Sequence, residues 1–262
     1  MTKILFMGRK DVSSKLIRYF YSKKELDIVG VLTDNFLKGS DVEKTAKQLK
    51  IPLFTYDEAI KSIKSGKLYF ELGVSVLYWR KLKNELLTIP SKGVINFHPA
   101  PLPEYKGTGG YNLAILESRL SWAVTAHYMN EDIDTGRIIE RKDFPINLKN
   151  ETVASLEKKS IIHIEKMALK IIDKAVKAKD YLPSFENKGG SYLSRVDMES
   201  LKELNDGDDI DRKIRAFWYP PYNGAFIKIN NKKYTLVNQK ILSDVAPSNI
   251  DRAFLKKDNI SR

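Results

Sequence analysis

Asn96 and His98 are the residues of this chain best suited to chemistry. They stand two apart at the end of a short apolar run, in the stretch NFHPAPLPEYKG (96–107), and 262 residues contain only three histidines. In an extended strand, side chains two positions apart point the same way. A carboxamide that can hydrogen-bond an oxyanion then shares a small cavity with an imidazole that can move a proton near neutral pH. Asn-x-His alone is not diagnostic, because a loop histidine satisfied by backbone groups is the commoner use of that residue. A carboxylate follows in NEDIDTG (130–136). Asp134 precedes Thr-Gly, where an aspartate often stabilises a turn through its own side chain. It could equally orient and charge His98, and spacing does not decide between the two.

The elements that must position these groups read as alternating strands and helices. Apolar runs at 3–7, 27–33, 51–56, 68–76 and 93–97 predict strands. Helical periodicity predicts helices at 12–20, 42–49 and 57–63. Such alternation indicates βαβ units and a mainly parallel sheet, which binds ligands at the carboxyl ends of its strands. Gly8, Ser75 and Asn96 sit at such ends. Further on come a helix at 111–117, a strand at 123–129, the Asp134 turn, a returning strand at 137–146 and a long helix at 153–176. KGGSYLSR (188–195) reads as a break. We place a boundary near 185, giving a catalytic domain over 1–185 and a small C-terminal domain over 186–262. The latter has two short helices (197–205 and 208–217) and a β-hairpin within 218–238, with Asn-Asn at its turn. The fold class expected is α/β, a Rossmann-like mainly parallel sheet flanked by helices with a small α+β appendage.

A hydrophobic content of 42% excludes a mostly disordered chain. No apolar run approaches the roughly 18–20 residues of a membrane helix, so no membrane partner is expected. The first residues, MTKILFMGRKD, read as a strand rather than a signal peptide. With no cysteine, neither a disulfide framework nor a thiolate metal site is available, and a reducing cytoplasm is the expected home. The net charge of +12 would suit nucleic acid or a phosphorylated substrate, but the lysines are scattered, as on ordinary solvated faces.

The segments NFHPAPLPEYKG (96–107) and TAHYMNEDIDTGRII (125–139) together resemble the two signature segments of the 10-formyltetrahydrofolate-dependent formyltransferases. The resemblance covers roughly residues 1–180. It implies Asn96, His98 and Asp134 as the catalytic triad and 10-formyltetrahydrofolate as formyl donor, with no metal. An amine would attack the formyl carbon through a tetrahedral intermediate. Asn96 would stabilise the oxyanion, with either His98 or Asp134 as base. SVLYWRKL (75–82) is similar to the loop lining the pterin pocket in that family, which makes Tyr78, Trp79 and Arg80 candidate folate contacts, although such aromatics also serve packing. The resemblance places Asn130, Glu131 and Asp132 along the pterin edge. Arg9, Pro101, Tyr105, Lys106, Gly107, Thr108 and Tyr222 are the candidate contacts to the acceptor. His127 is expected just behind the site, and His163 on a helix surface or in the core. Gly8 and Arg9 stand where a dinucleotide fingerprint would need further glycines, so NAD is not expected.

The tail segments GGSYLSRVDMESL (189–201) and IRAFWYPPYNGAFI (214–227) look like the short C-terminal region of the sugar-nucleotide N-formyltransferases. That resemblance implies a dTDP-, GDP- or UDP-linked 3- or 4-amino sugar as acceptor, a homodimer formed through the C-terminal part, and a product for a surface glycan such as O-antigen or lipopolysaccharide. Methionyl-tRNA formyltransferase is the alternative within the family. The tail is short for an RNA-binding barrel, and nucleic acid is not the expected partner. A folate- or nucleotide-binding homologue without activity is the alternative in kind. The presence of all three triad residue types argues against it.

Overall fold

The computed structural model describes residues 1–33 and 39–245. The elements run β1 (Thr2–Gly8), α1 (Lys10–Tyr21), β2 (Leu26–Leu32), α2 (Asp41–Gln48), β3 (Leu53–Phe54), α3 (Tyr56–Lys64), β4 (Leu72–Val76), α4 (Asn84–Thr88) and β5 (Val94–His98). They continue with β6 (Tyr105–Gly107), α5 (Gly110–Leu116), β7 (Ser121–Tyr128), β8 (Ile138–Pro145), α6 (Val153–Lys177) and β9 (Ser191–Leu193). The last are α7 (Arg195–Ser200), α8 (Ile210–Phe217), β10 (Phe226–Ile229), β11 (Lys232–Thr235) and α9 (Gln239–Val245).

Seven strands form one sheet in the order β3-β2-β1-β4-β5-β7-β8. The first five are parallel, and β7 and β8 then run antiparallel to their neighbours. The fully buried runs of β4 and β5 suit a sheet covered on both faces. On one face Leu16, Ile17 and Phe20 of α1 pack with Leu156, Met167 and Ile171 of α6. On the other, Ala59, Ile60 and Ile63 of α3 and Leu86 of α4 pack under Met7 and Val94. Alternation along β5 sends Ile95 and Phe97 into the first layer, so Asn96 and His98 share the opposite face at the strand's carboxyl end. A third cluster joins Ile115 and Val153 to Ile214, Phe217, Ala225 and Ile241 of the C-terminal region.

The differences from the sequence expectations have local causes. The strand expected at 51–56 shrinks to β3 because Thr55 and Glu58 form a capping box that starts α3 at Tyr56. Leu68 and Phe70 are buried within a connection, and pairing with β1 begins only at Leu72. The break at 188–195 contains β9, which pairs with β6 from Tyr105↔Ser191 to Gly107↔Leu193. At Gly190 a Cβ would lie 1.6 Å from the Pro103 carbonyl oxygen, so only glycine permits this approach. The helix expected at 197–205 is the shorter α7, started by the Ser194 cap. The hairpin narrows to β10 and β11, and Asn230 and Asn231 both adopt positive φ at its turn. The strand β6 and the helices α4 and α9 were not anticipated. Residues 246–262, the end of the expected C-terminal domain, lie outside the described residues. Among the described residues no helix is long and apolar enough to cross a membrane.

One buried lysine ties α6 to the strand that carries the site. Lys92, 7% exposed and two residues before β5, donates from Nζ to the carbonyls of Ala175 (3.2 Å), Val176 (2.9 Å) and Ala178 (2.7 Å). Its charge sits where the α6 dipole is negative and satisfies carbonyls that the helix end leaves open. Lys92→Met should lower the unfolding free energy by about 1–3 kcal/mol in a urea titration, because those carbonyls lose their donor. An unchanged midpoint would contradict this role.

Candidate active site

The site forms where the sheet changes from parallel to antiparallel. Ser75 of β4, Asn96 of β5 and His127 of β7 lie directly opposite one another across three neighbouring strands. The Ser75 hydroxyl donates to Asn96 Oδ1 at 2.8 Å. Asn96 Nδ2 is 3.0 Å from His127 Nε2, and His127 Nδ1 is 2.7 Å from the Tyr128 carbonyl oxygen. That carbonyl can only accept, so Nδ1 carries a proton, and Nε2, facing the Asn96 amide, accepts from it.

His98 is oriented in the same manner. Its Nε2 donates to the Tyr105 carbonyl at 2.9 Å, which leaves Nδ1 facing Asp134 Oδ2 at 3.4 Å. Asp134 Oδ1 lies 3.5 Å from His127 Nε2, so one carboxylate sits between two imidazoles. The Gly107 N–H donates to Oδ2 at 2.9 Å. The Asp134 backbone is left-handed, with φ 55°, and Asn187 Nδ2 holds it by donating to the carbonyls of Asp134 and Gly136, each at 2.9 Å. Gly136 is required here, since a Cβ would lie 1.8 Å from the Tyr128 oxygen that sets the His127 tautomer. The Asp-Thr-Gly turn therefore acts on both histidines.

Burial pushes His98 below its ordinary value, against the opposing pull of Asp134, so the ring is held mostly uncharged near neutral pH. Burial alone would raise the Asp134 carboxyl. In acid, where the carboxyl would take its proton, the charge of protonated His98, the charge and hydrogen bond of His127 and the Gly107 N–H outweigh burial and hold Asp134 well below the usual carboxylate range. The result is an uncharged base with an open Nδ1 beside a fixed negative charge, poised to accept a proton as an ion pair.

Asn96, His98 and Asp134 open on a cleft of about 420 Å³. Tyr78, Trp79, Arg80, Asn130 and Asp132 line it, as do Arg9, Gly107 and Thr108. Trp79 is 51% exposed, and the Arg80 guanidinium lies 5.2 Å from its ring centroid and 5.3 Å from that of Tyr56. The Asn130 side chain accepts from the Thr135 hydroxyl at 2.8 Å, which braces the Asp134 turn. Pro101, Tyr105, Lys106, Glu131 and Tyr222 are not among the lining residues. Pro101 is buried and its carbonyl accepts from the Tyr105 N–H at 3.0 Å. Tyr105 is also buried, with its hydroxyl on Glu117 and its backbone carbonyl on His98. Lys106 Nζ donates to the Gly189 carbonyl at 2.7 Å, and Glu131 is exposed. Tyr222 is 59% exposed and stacks on Tyr219 with centroids 5.6 Å apart. His163 lies on α6, stacked on Phe144.

Lys10, Glu157, Tyr219 and Asn187 also belong to the site or its support, and none stands in a motif that marks it. Lys10 and Glu157 line the cleft. Lys10 donates to Glu157 and, at 2.8 Å, to the Tyr219 hydroxyl, which itself donates to Glu157 at 2.5 Å. Burial would lower the Lys10 ammonium, but these partners raise it and keep it charged. The three residues are distant in sequence and carry no shared motif. Only the packing of α6 and the C-terminal region brings them together.

The chain belongs to the formyl transferase family, whose model matches residues 11–171. It is 32% identical over 176 residues to methionyl-tRNA formyltransferase of Listeria monocytogenes serovar 1/2a, a match covering 63% of this chain and 56% of that protein. It therefore spans little more than half the length of that relative. The methionyl-tRNA formyltransferase of Ehrlichia canis (strain Jake) is 26% identical over 256 residues, covering 92% of this chain and 82% of the other. Among solved structures it resembles an N-formyltransferase from Helicobacter canadensis in complex with folinic acid and dTDP-3-aminofucose. That match has 25% identity and a TM-score of 0.73, over 89% of this chain and 86% of the other. WlaRD, a sugar 3N-formyltransferase solved with dTDP and 5-N-formyl-THF, matches at 25% identity and TM-score 0.72, over 89% and 84%.

A nuclear magnetic resonance titration of the imidazole signals checks the electrostatics. His98 should titrate below the ordinary imidazole value of about 6.5. Asp134→Asn should move its midpoint lower still, because the carboxylate is the group that raises it. An upward shift in that variant would contradict the arrangement.

Proposed function

We propose that the chain transfers a formyl group from 10-formyltetrahydrofolate to the amine of a nucleotide-linked amino sugar. The observation that carries the reading is the convergence of the Asn96 amide, an uncharged His98 and the Asp134 carboxylate on one cleft. The cleft suits a reduced folate. Leu77, Leu82 and Met129 offer apolar wall, Trp79 and Tyr78 offer aromatic faces, and Asn96, His98, Asn130 and Asp134 offer polar groups. Residues 1–185 would carry the chemistry. Residues 186–262 would complete the acceptor side and form a homodimer.

Each residue then has a physical task. The Asn96 N–H faces the charge that gathers on the formyl oxygen and stabilises it. His98 accepts the proton of the attacking amine at Nδ1, and Asp134 stabilises the imidazolium so formed. The new bond joins the acceptor nitrogen to the formyl carbon, and the folate nitrogen–carbon bond breaks. The proton held on His98 returns to the leaving folate nitrogen. Arg9, at the cleft wall, supplies positive charge suited to the diphosphate of the acceptor, while the charge of Lys10 is balanced by Glu157.

The neighbour with bound dTDP-3-aminofucose and the sugar 3N-formyltransferase with bound dTDP each match 89% of this chain, and this supports the sugar acceptor. The names of the sequence relatives favour a second reading, transfer to charged initiator tRNA. A mass-spectrometric turnover assay separates the two. It offers 10-formyltetrahydrofolate with a panel of dTDP-, GDP- and UDP-linked 3- and 4-amino sugars, and charged tRNA in parallel. One sugar nucleotide should gain one formyl group. Asn96→Ala should lower kcat by roughly 100- to 1000-fold and His98→Ala by roughly 100- to 10000-fold. Since His98 must begin unprotonated, kcat/KM should fall only as pH drops below about 6.5. Formylated tRNA with silent sugars would establish the second reading instead.

A further inference from the structure

A carboxamide has one face that only accepts hydrogen bonds and one that only donates. Its two orientations have almost the same shape and opposite polarity. Only the orientation with N–H toward the formyl oxygen can stabilise developing negative charge, and the other would repel it. Something must therefore select the orientation of Asn96, which is only 9% exposed and has little water around it to do so.

His127, which can only accept here, selects the orientation, and Ser75 holds the amide in it. On one side, Ser75 is fully buried and donates its hydroxyl proton to Asn96 Oδ1 at 2.8 Å. On the other, His127 is 1% exposed, and its Nδ1 is committed to the Tyr128 carbonyl at 2.7 Å. Its bare Nε2 therefore accepts from Asn96 Nδ2 at 3.0 Å and would repel an amide oxygen. Cross-strand register puts all three residues in a row, so β4 and β7 hold the clamp. Ser75 does not line the cleft and can act on the reaction only through Asn96.

We propose that Ser75 is a positioning residue for formyl transfer, holding the Asn96 carboxamide, together with His127 Nε2 as acceptor, so that its second N–H faces the cleft. This rests on the formyl-transfer reading above. Removing the Ser75 hydroxyl takes away the partner that holds the amide oxygen on the β4 side. The amide then rotates more freely, and the fraction of molecules with a correctly aimed N–H falls.

A double-mutant cycle on the full chain, with the best acceptor from the turnover panel, tests this. Ser75→Ala should lower kcat roughly 10- to 100-fold, the scale of one buried hydrogen bond, with KM for donor and acceptor changed less than about threefold. In an Asn96→Ala background the same substitution should change kcat less than about twofold, because nothing remains to be positioned. An equal loss in both backgrounds would mean a merely structural role and overturn the proposal. So would a Ser75→Ala enzyme with full turnover. The Asn96 side-chain amide signals, assigned with the Asn96→Ala variant, give a readout independent of turnover. The two Nδ2 protons should be resolved and slow to exchange in the wild type, and should lose that protection in Ser75→Ala. Unchanged protection would also overturn the clamp. Absence of wild-type turnover on every acceptor, with the amide change present, would fault the reaction assigned, and the role in formyl transfer would fall with it.

Discussion

The site depends on a single buried carboxylate held between two imidazoles. Asp134 sits 3.4 Å from His98 and 3.5 Å from His127, and takes one backbone N–H from Gly107. A charge in so dry a place is tolerated only with a hydrogen-bond donor and a cation within reach; the Gly107 N–H is the first, and His98, once protonated, is the second. Its position requires a left-handed residue, a glycine two positions on, and the Asn187 amide gripping the turn. The loop carrying Gly107 is itself fixed by β9, which joins the C-terminal region to the segment after His98. Much of the fold around the cleft can be understood as the means of keeping this charge in place.

The sheet provides the rest. Parallel strands alone would end at β5 with an open edge. The antiparallel β7 closes it and brings His127 directly opposite Asn96. The two ring nitrogens that face the site, Nδ1 of His98 and Nε2 of His127, are both set by backbone carbonyls that take the other ring proton. The protein thus defines both tautomers with main-chain atoms, which rigid strands and a short loop can hold accurately.

Most of the fold was legible because its strands are short apolar runs punctuated by capped helices, and Asn96, His98 and Asp134 were legible because they lie in two dense motifs. Short elements were not. β6 and β9 have three residues each and no periodicity, and their pairing depends on a glycine meeting a distant carbonyl. The capping box at Thr55 and Glu58 was present in the sequence and would have trimmed the overlong third strand. The Lys10–Glu157–Tyr219 group and the grip of Asn187 are tertiary facts that ordinary polar residues do not announce. Tyr105 contributes to the site through its carbonyl, which no residue type reveals.

The most direct test is a crystal structure with a stable formyl-folate and a nucleotide-linked amino sugar bound together. The formyl oxygen should lie roughly 3 Å from Asn96 Nδ2, with the acceptor amine beside His98 Nδ1 and the diphosphate toward Arg9. A formyl group outside this cleft, or an Asn96 oxygen turned toward it, would contradict the mechanism.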